Sequence, residues 1–298
     1  MALLPQIKRS LKTVLHAPAS PVATLLGTSL QLDLSRELAR LQSELRRTMP
    51  ENPAAFGYKV YSQSDEDGII DHICGRLGIE HGSFVEIGCG DGRENNSHFL
   101  LLKGWQGAWV DGDPANIAAI RTALPVSDRL RVIEAMVTRE NVTPLLGPEV
   151  SRLGSLDLLS VDIDGNDLHV AASAVAAFRP RVLIGEYNAK FPYPMRVSVA
   201  YEPQRAWQGN DYQGASLGAW VDALAADYGL VCCNLAGTNA FFVRRDCLGA
   251  FSNFSPQQLF QPARFFLTAL QSGHPPSLAF LADSLRPGSN SKVRGIPK

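Results

Sequence analysis

A chain of 298 residues is long enough for one large domain with appendages or two modest ones, and 45% hydrophobic with 19% charged side chains describes a globular protein with a sizeable core. The 28 basic and 29 acidic residues leave a formal net charge of -1, which argues against nucleic acid as the main partner, because phosphate binding leaves a basic excess. Cys74, Cys89, Cys232, Cys233 and Cys247 are odd in number and contain no C-x-x-C pair, which argues against a disulfide framework and a structural zinc site and suits a reducing cytosol.

Residues 1–55 read as an N-terminal helical extension. Lys8, Arg9 and Lys12 are followed by a stretch broken by Pro18, Pro21 and Gly27, so neither a signal peptide nor a membrane span is expected. A cytoplasmic protein follows, with at most a weak membrane-surface contact through residues 1–15. Leu34, Leu38, Leu41 and Leu45 recur at helical spacing on one face, which predicts a helix docked on the main domain or pairing in a homodimer.

Residues 56–246 alternate short apolar runs with helical patterns, the signature of an α/β sheet wound on both sides. The expected strands are Ser83–Ile87, Ala108–Asp111, Leu130–Glu134, Leu156–Asp162, Arg181–Glu186, Leu230–Asn234 and Ala240–Arg244. Helical stretches between the first five suit right-handed crossovers, and a turn-rich link joins the last two as an antiparallel hairpin. A seven-stranded, mostly parallel, Rossmann-like sheet ending in a hairpin is the class I S-adenosylmethionine (SAM) methyltransferase architecture. Residues 247–285 read as a C-terminal helical extension and 286–298 as a disordered tail.

The first strand runs into Glu86-Ile87-Gly88-Cys89-Gly90-Asp91-Gly92, an E-x-G-x-G-x-G turn in which glycine lets the backbone turn sharply and approach a ligand. It is not the G-x-G-x-x-G of a dinucleotide fingerprint, and an acid at Glu86 suits the ammonium of SAM and would repel a pyrophosphate. Asp111, 25 positions further at the second strand tip, is the first choice to hold the ribose hydroxyls. Within Asp111-Gly112-Asp113-Pro114, Asp113 is the second choice, and an N-cap role before Pro114 is equally open to it. Ala135, Met136 and Val137, after the third strand, are the expected adenine seat. The cofactor set is therefore Glu86, Gly88, Cys89, Gly90, Asp111, Gly112, Asp113, Met136 and Val137.

The fourth strand ends Asp162-Ile163-Asp164-Gly165-Asn166-Asp167 and the fifth Glu186-Tyr187-Asn188. Acids crowded in this way need a cation, a ligand or helix N-terminal amides to balance them. Ligands of open α/β sheets bind beyond the carboxyl ends of the strands, so Asp162, Asp164, Glu186 and Asn188 are the expected catalytic cluster. Two readings stand. In one, a divalent ion such as magnesium on Asp162, Asp164 and Asn188 acidifies an acceptor hydroxyl. In the other, which is favoured, Asp162 or Asp164 is the general base without metal. His98 and His169 fall on flanking helices and read as structural.

Four segments taken together resemble the FkbM-type methyltransferase family over roughly residues 58–245: Tyr61-Ser62-Gln63-Ser64-Asp65-Glu66-Asp67-Gly68, Phe84-Val85-Glu86-Ile87-Gly88, Gly104-Trp105-Gln106-Gly107 leading to Asp111, and Ser160-Val161-Asp162-Ile163-Asp164-Gly165. The resemblance implies SAM-dependent O-methylation, often of a sugar or polyketide hydroxyl. It puts Glu86, Gly88 and Gly90 along SAM, Asp111 on ribose, and Asp162 and Asp164 at the reaction centre. The chain departs from the family in having Asp164 where glutamate is usual and in its Asn95-Asn96-Ser97-His98 helix start.

Gln63, Glu66 and Asp67 read either as a lid edge, with Tyr58 and Tyr61 stacking on a substrate ring, or as a helix cap using Ser62 or Ser64. Lys190–Gln213, carrying Phe191, Tyr193, Tyr201, Trp207 and Tyr212 among polar residues, is the expected acceptor loop for a small-molecule or glycan hydroxyl. No Asn/Asp-Pro-Pro-aromatic motif of amine or nucleic-acid methyltransferases follows the fourth strand. The alternatives are a non-catalytic SAM-binding or assembly protein and an NAD-dependent Rossmann oxidoreductase.

Overall fold

The computed structural model describes residues 21–205, 209–268 and 275–286. The expectations for residues 1–15, Trp207 and the tail beyond Arg286 lie outside them. The chain order is α1 (Pro21–Thr48), a 3-10 turn (Pro53–Phe56), α2 (Glu66–Arg76), β1 (Ser83–Ile87), α3 (His98–Leu102), β2 (Gln106–Asp111), α4 (Pro114–Ala123), β3 (Leu130–Glu134) and α5 (Val142–Leu153). There follow β4 (Leu158–Val161), α6 (Asp167–Phe178), β5 (Val182–Glu186), α7 (Leu217–Leu224), β6 (Tyr228–Cys233), β7 (Asn239–Arg244), α8 (Pro256–Leu259) and α9 (Pro275–Leu285).

The seven strands form one sheet in the order β3-β2-β1-β4-β5-β7-β6. Pairings from β3 through β5 are parallel, and β7 runs antiparallel between β5 and β6. This is the expected Rossmann-like sheet closed by a hairpin, flanked by helical segments at both ends of the chain. Strand ends differ by small shifts. β2 starts at Gln106 and β6 at Tyr228, while β4 is confined to Leu158–Val161. The Asp162 amide still bonds to the Ile87 carbonyl at 3.0 Å, so the pairing of β1 and β4 carries the chain to the site.

Alternation along the strands divides the core in two. Phe84, Trp109, Leu158, Ile184 and Phe241 face one helical layer with α2, α3, α4 and α9. Val85, Val110, Leu159, Leu183 and Phe242 face the other, with α5, α6 and α7. Leu38, Leu41 and buried Leu45 of α1 pack against the first of these layers. Gln42 and Arg46 of the same helix donate to the Gly57 and Ala55 carbonyls at 2.6 and 2.8 Å, so the periodic leucine face docks on the domain.

The strand order reverses direction of growth between β1 and β4. The connections leaving these two strands depart to opposite faces of the sheet, which opens a crevice at their carboxyl ends. All five cysteines are free and four are buried, as their number and spacing suggested. Among the described residues, no helix is long and apolar enough to cross a membrane.

Candidate functional site at the carboxyl ends of β1, β2 and β4

A cleft of about 590 Å³ occupies the crevice. Its floor is the turn after β1, where Gly88 has a φ of 88° and a Cβ there would lie 1.6 Å from the Asp162 carbonyl oxygen. The strands can meet this closely only with glycine at that position. Gly90 (φ 57°) has no atom within 4 Å of where a Cβ would stand, so its backbone faces open cleft. Cys89 is buried in the apolar core and also borders the cleft.

Glu86 borders the cleft but is only 4% exposed. Its Oε1 accepts from the Asn96 amide at 2.8 Å, and its Oε2 accepts from the Ser97 amide at 3.0 Å and from the Ser97 hydroxyl. The Ser97 hydroxyl in turn accepts from Trp109 Nε1 at 2.8 Å. Glu86 thus braces the chain entering α3. Burial pushes its carboxyl up to about 7, against the opposing pull of those hydrogen bonds.

Asp111 clasps the turns that follow β1 and β2. Its Oδ2 accepts from the Gly90 amide at 2.8 Å, and its Oδ1 accepts from the Asp113 amide at 2.8 Å and Asn116 Nδ2 at 3.2 Å. Asp113 caps α4 by accepting from the Ala115 amide at 2.8 Å, the capping role left open by its place before Pro114. Met136, 69% exposed, stands over Gly112 on the cleft wall, with Ala135 and buried Val137 beside it.

On the β4 side, Asp162, Ile163, Asp164 and Asn166 line the cleft, facing Pro203 and Arg205 of the long loop. Asp164 holds a left-handed φ of 58° and accepts from Gln213 Nε2 at 3.0 Å. Glu186 and Asn188 are not on the lining. Asn188 donates to the Asp211 and Gln213 carbonyls at 2.8 and 3.0 Å and accepts from the Lys190 amide at 3.1 Å, so its amide is committed to the loop. Of the expected oxygen set Asp162, Asp164 and Asn188, the Asn188 amide is thus engaged by the loop. The acids whose carboxylates lie within 4.8 Å of one another are Asp162, Asp167 and Glu186.

Asp167, fully buried, accepts from the Ile163 amide at 2.6 Å and the Gly165 amide at 2.8 Å, and burial raises its carboxyl to about 6. Backbone amides of the turn entering α6 thus bond the Asp167 carboxylate. Neither His98 nor His169 is on the lining: His98 stacks on Tyr61 with centroids 3.9 Å apart, and His169 Nε2 lies 2.9 Å from the Val199 carbonyl.

The segment before β1 behaves as a cap and not as a lid edge. Asp65, Glu66 and Asp67 are buried. Asp67 Oδ2 gathers the Val60, Tyr61 and Ser62 amides at 2.7 to 2.8 Å, while its own amide donates to the Ser62 hydroxyl at 3.2 Å. Glu66 accepts from Asn234 and Asn239 across the sheet at 2.7 and 3.2 Å. Gln63 alone of the three predicted lid residues reaches the cleft. In the expected acceptor loop, Tyr201 is stacked under Arg139 at 4.1 Å and its hydroxyl bonds to Glu140, so this ring is engaged away from the cleft.

Asn95, Asn96, Asn116, Asn166 and Arg205 join the cleft without being named as ligand contacts from sequence. The signals were faint. Asn116 is in the first turn of a helix whose cap was recognised, and Asn95 and Asn96 stood out only as an unusual helix start. Among the described residues the charged side chains on the lining are Glu86, Asp91, Glu94, Asp111, Asp113, Asp162, Asp164 and Arg205, with Glu94 paired to Lys59 at 3.5 Å and Asp91 to Arg93 at 3.1 Å.

No protein-family model matches the chain, and no curated protein matches it. Among solved structures it is similar to a SAM-bound amino pentose methyltransferase of calicheamicin biosynthesis from Micromonospora echinaspora, at 16% identity over 61% of this chain and 92% of that one, with a TM-score of 0.39. It is also similar to the plantazolicin methyltransferase BamL in complex with a desmethyl substrate analog and SAH, at 12% identity over 88% and 92% of the two chains and a TM-score of 0.38. A TehB-like SAM-dependent methyltransferase from Corynebacterium glutamicum aligns at 15% identity over 71% and 98%, with a TM-score of 0.33. These likenesses are distant, and the chemistry of the cleft rests on the residues of this chain.

Proposed function

We propose that this chain is a SAM-dependent O-methyltransferase acting on a hydroxyl of a sugar, glycan or related polyol. The observation that carries the reading is the acidic lining of the crevice between β1 and β4, where Asp111, Asp113, Asp162 and Asp164 stand beside the Gly88–Gly90 turn. Such a field favours a ligand with a sulfonium and an ammonium and disfavours a pyrophosphate, which would need amide or cationic donors. SAM, when bound, supplies a methyl group on a cationic sulfur.

The residues present fit that ligand in three parts. Asp111, with Asn116 beside it, would hold the ribose hydroxyls, and Met136 would offer a polarizable thioether to the adenine with Ala135 and Val137 beside it. The Gly88–Gly90 backbone makes room for the sulfur. Asp162 would take the proton of the acceptor hydroxyl as the new carbon–oxygen bond forms and the methyl–sulfur bond breaks, the cofactor leaving as its neutral thioether, S-adenosylhomocysteine, and Asp164 would orient the acceptor. The reading is metal-free, because Asp167 spends its oxygens on backbone amides and Asn188 on the loop.

Isothermal titration is expected to give SAM binding and no NAD binding; the opposite pattern would replace this reading with an oxidoreductase. Release of S-adenosylhomocysteine with a panel of sugars and polyols should then fall about 10²–10⁴-fold in Asp162→Asn, the range for losing a general base. Affinity for S-adenosylhomocysteine should stay within about twofold, and turnover should survive EDTA. Unchanged turnover in Asp162→Asn would remove Asp162 from the chemistry.

A further inference from the structure

The long loop between β5 and α7 reaches the cleft at Arg205, beside the turn that follows β4. Among the described residues on the lining, Arg205 is the basic one. Its guanidinium engages Tyr212 and, among the described residues, no carboxylate: Nη2 donates to the Tyr212 carbonyl at 3.3 Å, and the Tyr212 ring centroid lies 5.2 Å from the guanidinium carbon. The ring is itself held, since the Ala200 amide donates to the Tyr212 hydroxyl at 3.2 Å. Most of the guanidinium's N–H donors remain for water or a ligand.

The β4 turn also fixes where Arg205 stands. The Arg205 amide donates to the Glu202 carbonyl at 2.9 Å, and Asn166 Nδ2, at the entrance to α6, donates to the same carbonyl at 2.7 Å. The arginine stem crosses Gly165, where a Cβ would lie 3.4 Å from Arg205 Cδ. Asn166 is 4% exposed and lines the cleft, and its Oδ1 has no hydrogen-bond partner among the described residues. A buried acceptor oxygen left unpaired is unfavourable, and here it borders the space a ligand would fill. The end of the cleft beside Asp164 thus presents a cation and an unused hydrogen-bond acceptor side by side.

Resting on the O-methyltransferase reading above, we propose that the acceptor is a polyhydroxy compound bearing an oxyanion, a carboxylate or a phosphate, which Arg205 binds while Asn166 Oδ1 accepts from one of its hydroxyls. A guanidinium matches either anion with two parallel N–H donors. Carboxylates along the rest of the lining repel such a group, so Arg205 also sets which end of the acceptor enters first. The acceptor class is that of uronic acids and sugar phosphates, and neutral sugars are poor substrates. Were Arg205 only a counter-charge to Asp162 and Asp164, its loss would act on charged and neutral acceptors alike.

The test measures release of S-adenosylhomocysteine from SAM by the full chain with three kinds of acceptor: glucuronate and galacturonate, glucose 1-phosphate and glucose 6-phosphate, and the neutral methyl glucoside and methyl galactoside. One anionic kind should exceed the neutral kind in kcat/KM by about tenfold or more; uronates in front assign a carboxylate, sugar phosphates in front a phosphate. Arg205→Ala should lower kcat/KM for the preferred anion about 10–100-fold, mainly through KM, the range for a hydrogen bond to a charged group. The same variant should change neutral acceptors and S-adenosylhomocysteine affinity less than about twofold. Arg205→Lys, which keeps the charge without the planar fork, should fall between alanine and the wild type. Preference for neutral acceptors over both anionic kinds, or equal losses for charged and neutral acceptors in Arg205→Ala, would overturn the proposal and leave O-methylation standing. Binding of S-adenosylhomocysteine with no turnover of any of these hydroxyl acceptors would overturn the O-methyltransferase reading and the acceptor class with it.

Discussion

After β1 the chain adopts φ values of 88°, 57° and 78° at Gly88, Gly90 and Gly92, whereas after β4 the comparable value of 58° falls on Asp164. Both turns lie at the carboxyl ends of neighbouring strands and both line the cleft. On the β1 side the conformation is carried by the residue that bears it without strain, and the side chain is dispensed with. On the β4 side a carboxylate is kept in a conformation that costs an L-residue about 1–2 kcal/mol. The first turn works through its backbone and the second through a side chain. Aspartate is one of the few residues besides glycine that visit this conformation, so the β4 turn keeps a polar side chain at the cleft at modest cost.

The largest effect is expected where the backbone has no room. A Cβ at Gly88 would stand 1.6 Å from the Asp162 carbonyl, and the positive φ adds its own strain. Gly88→Ala should cost more than about 4 kcal/mol, seen as loss of a cooperative thermal transition or of soluble protein. The same replacement at Gly90 meets no atom within 4 Å, so there only the φ penalty of about 1 kcal/mol applies. If the two variants were equally stable, the close approach of β1 and β4 would not be what holds the cleft floor.

How far each turn could be read in advance follows the same division. The strands, the hairpin and the turn after β1 were legible because their signals are local: alternating apolar residues, a glycine every second position, Pro114 after a capping aspartate. Glu86 was read as a cofactor contact, and the sequence holds no sign that the Asn96 and Ser97 amides, ten and eleven residues on, claim its carboxylate. On the β4 side, Asp162 and Asp164 reach the cleft as expected, but Asn188 is drawn off by carbonyls 23 and 25 residues away. Asp167, read only as part of an acidic turn, supplies the acceptor that the Ile163 and Gly165 amides need. Which polar group satisfies which is settled by the long loop's return across the strand ends, and no periodicity encodes that.

A smaller effect sharpens the electrostatic side of the comparison. Burial raises the Glu86 carboxyl to about 7 in the folded chain, above its ordinary value of 4.5. Its contribution to the stability of the ligand-free protein is therefore fully present below the unfolded value and is lost as pH rises through 7. A bound cation favours the charged carboxylate, so SAM binding should draw a proton off Glu86. Affinity for SAM is expected to rise roughly three- to tenfold from pH 6 to pH 8, with proton release visible when titrations in buffers of different ionisation enthalpy are compared. A flat profile would confine Glu86 to its bracing of the α3 entrance.

The smallest effect on stability is expected at Asp164. Asp164→Gly removes the left-handed strain but gives up the bond from Gln213 Nε2, which lies at the exposed edge of the cleft and is worth little there. The extra freedom of glycine in the unfolded chain offsets part of the gain, so the variant should be more stable by at most about 1 kcal/mol. Its affinity for SAM should be unchanged, because no residue on the β2 and β3 side of the cleft bonds to Asp164. Turnover with a hydroxyl acceptor should nevertheless fall about tenfold or more, through loss of acceptor orientation. A variant that is more stable and equally active would make the strain at Asp164 an accident of the loop, and the contrast between the two turns would then be one of residue preference alone.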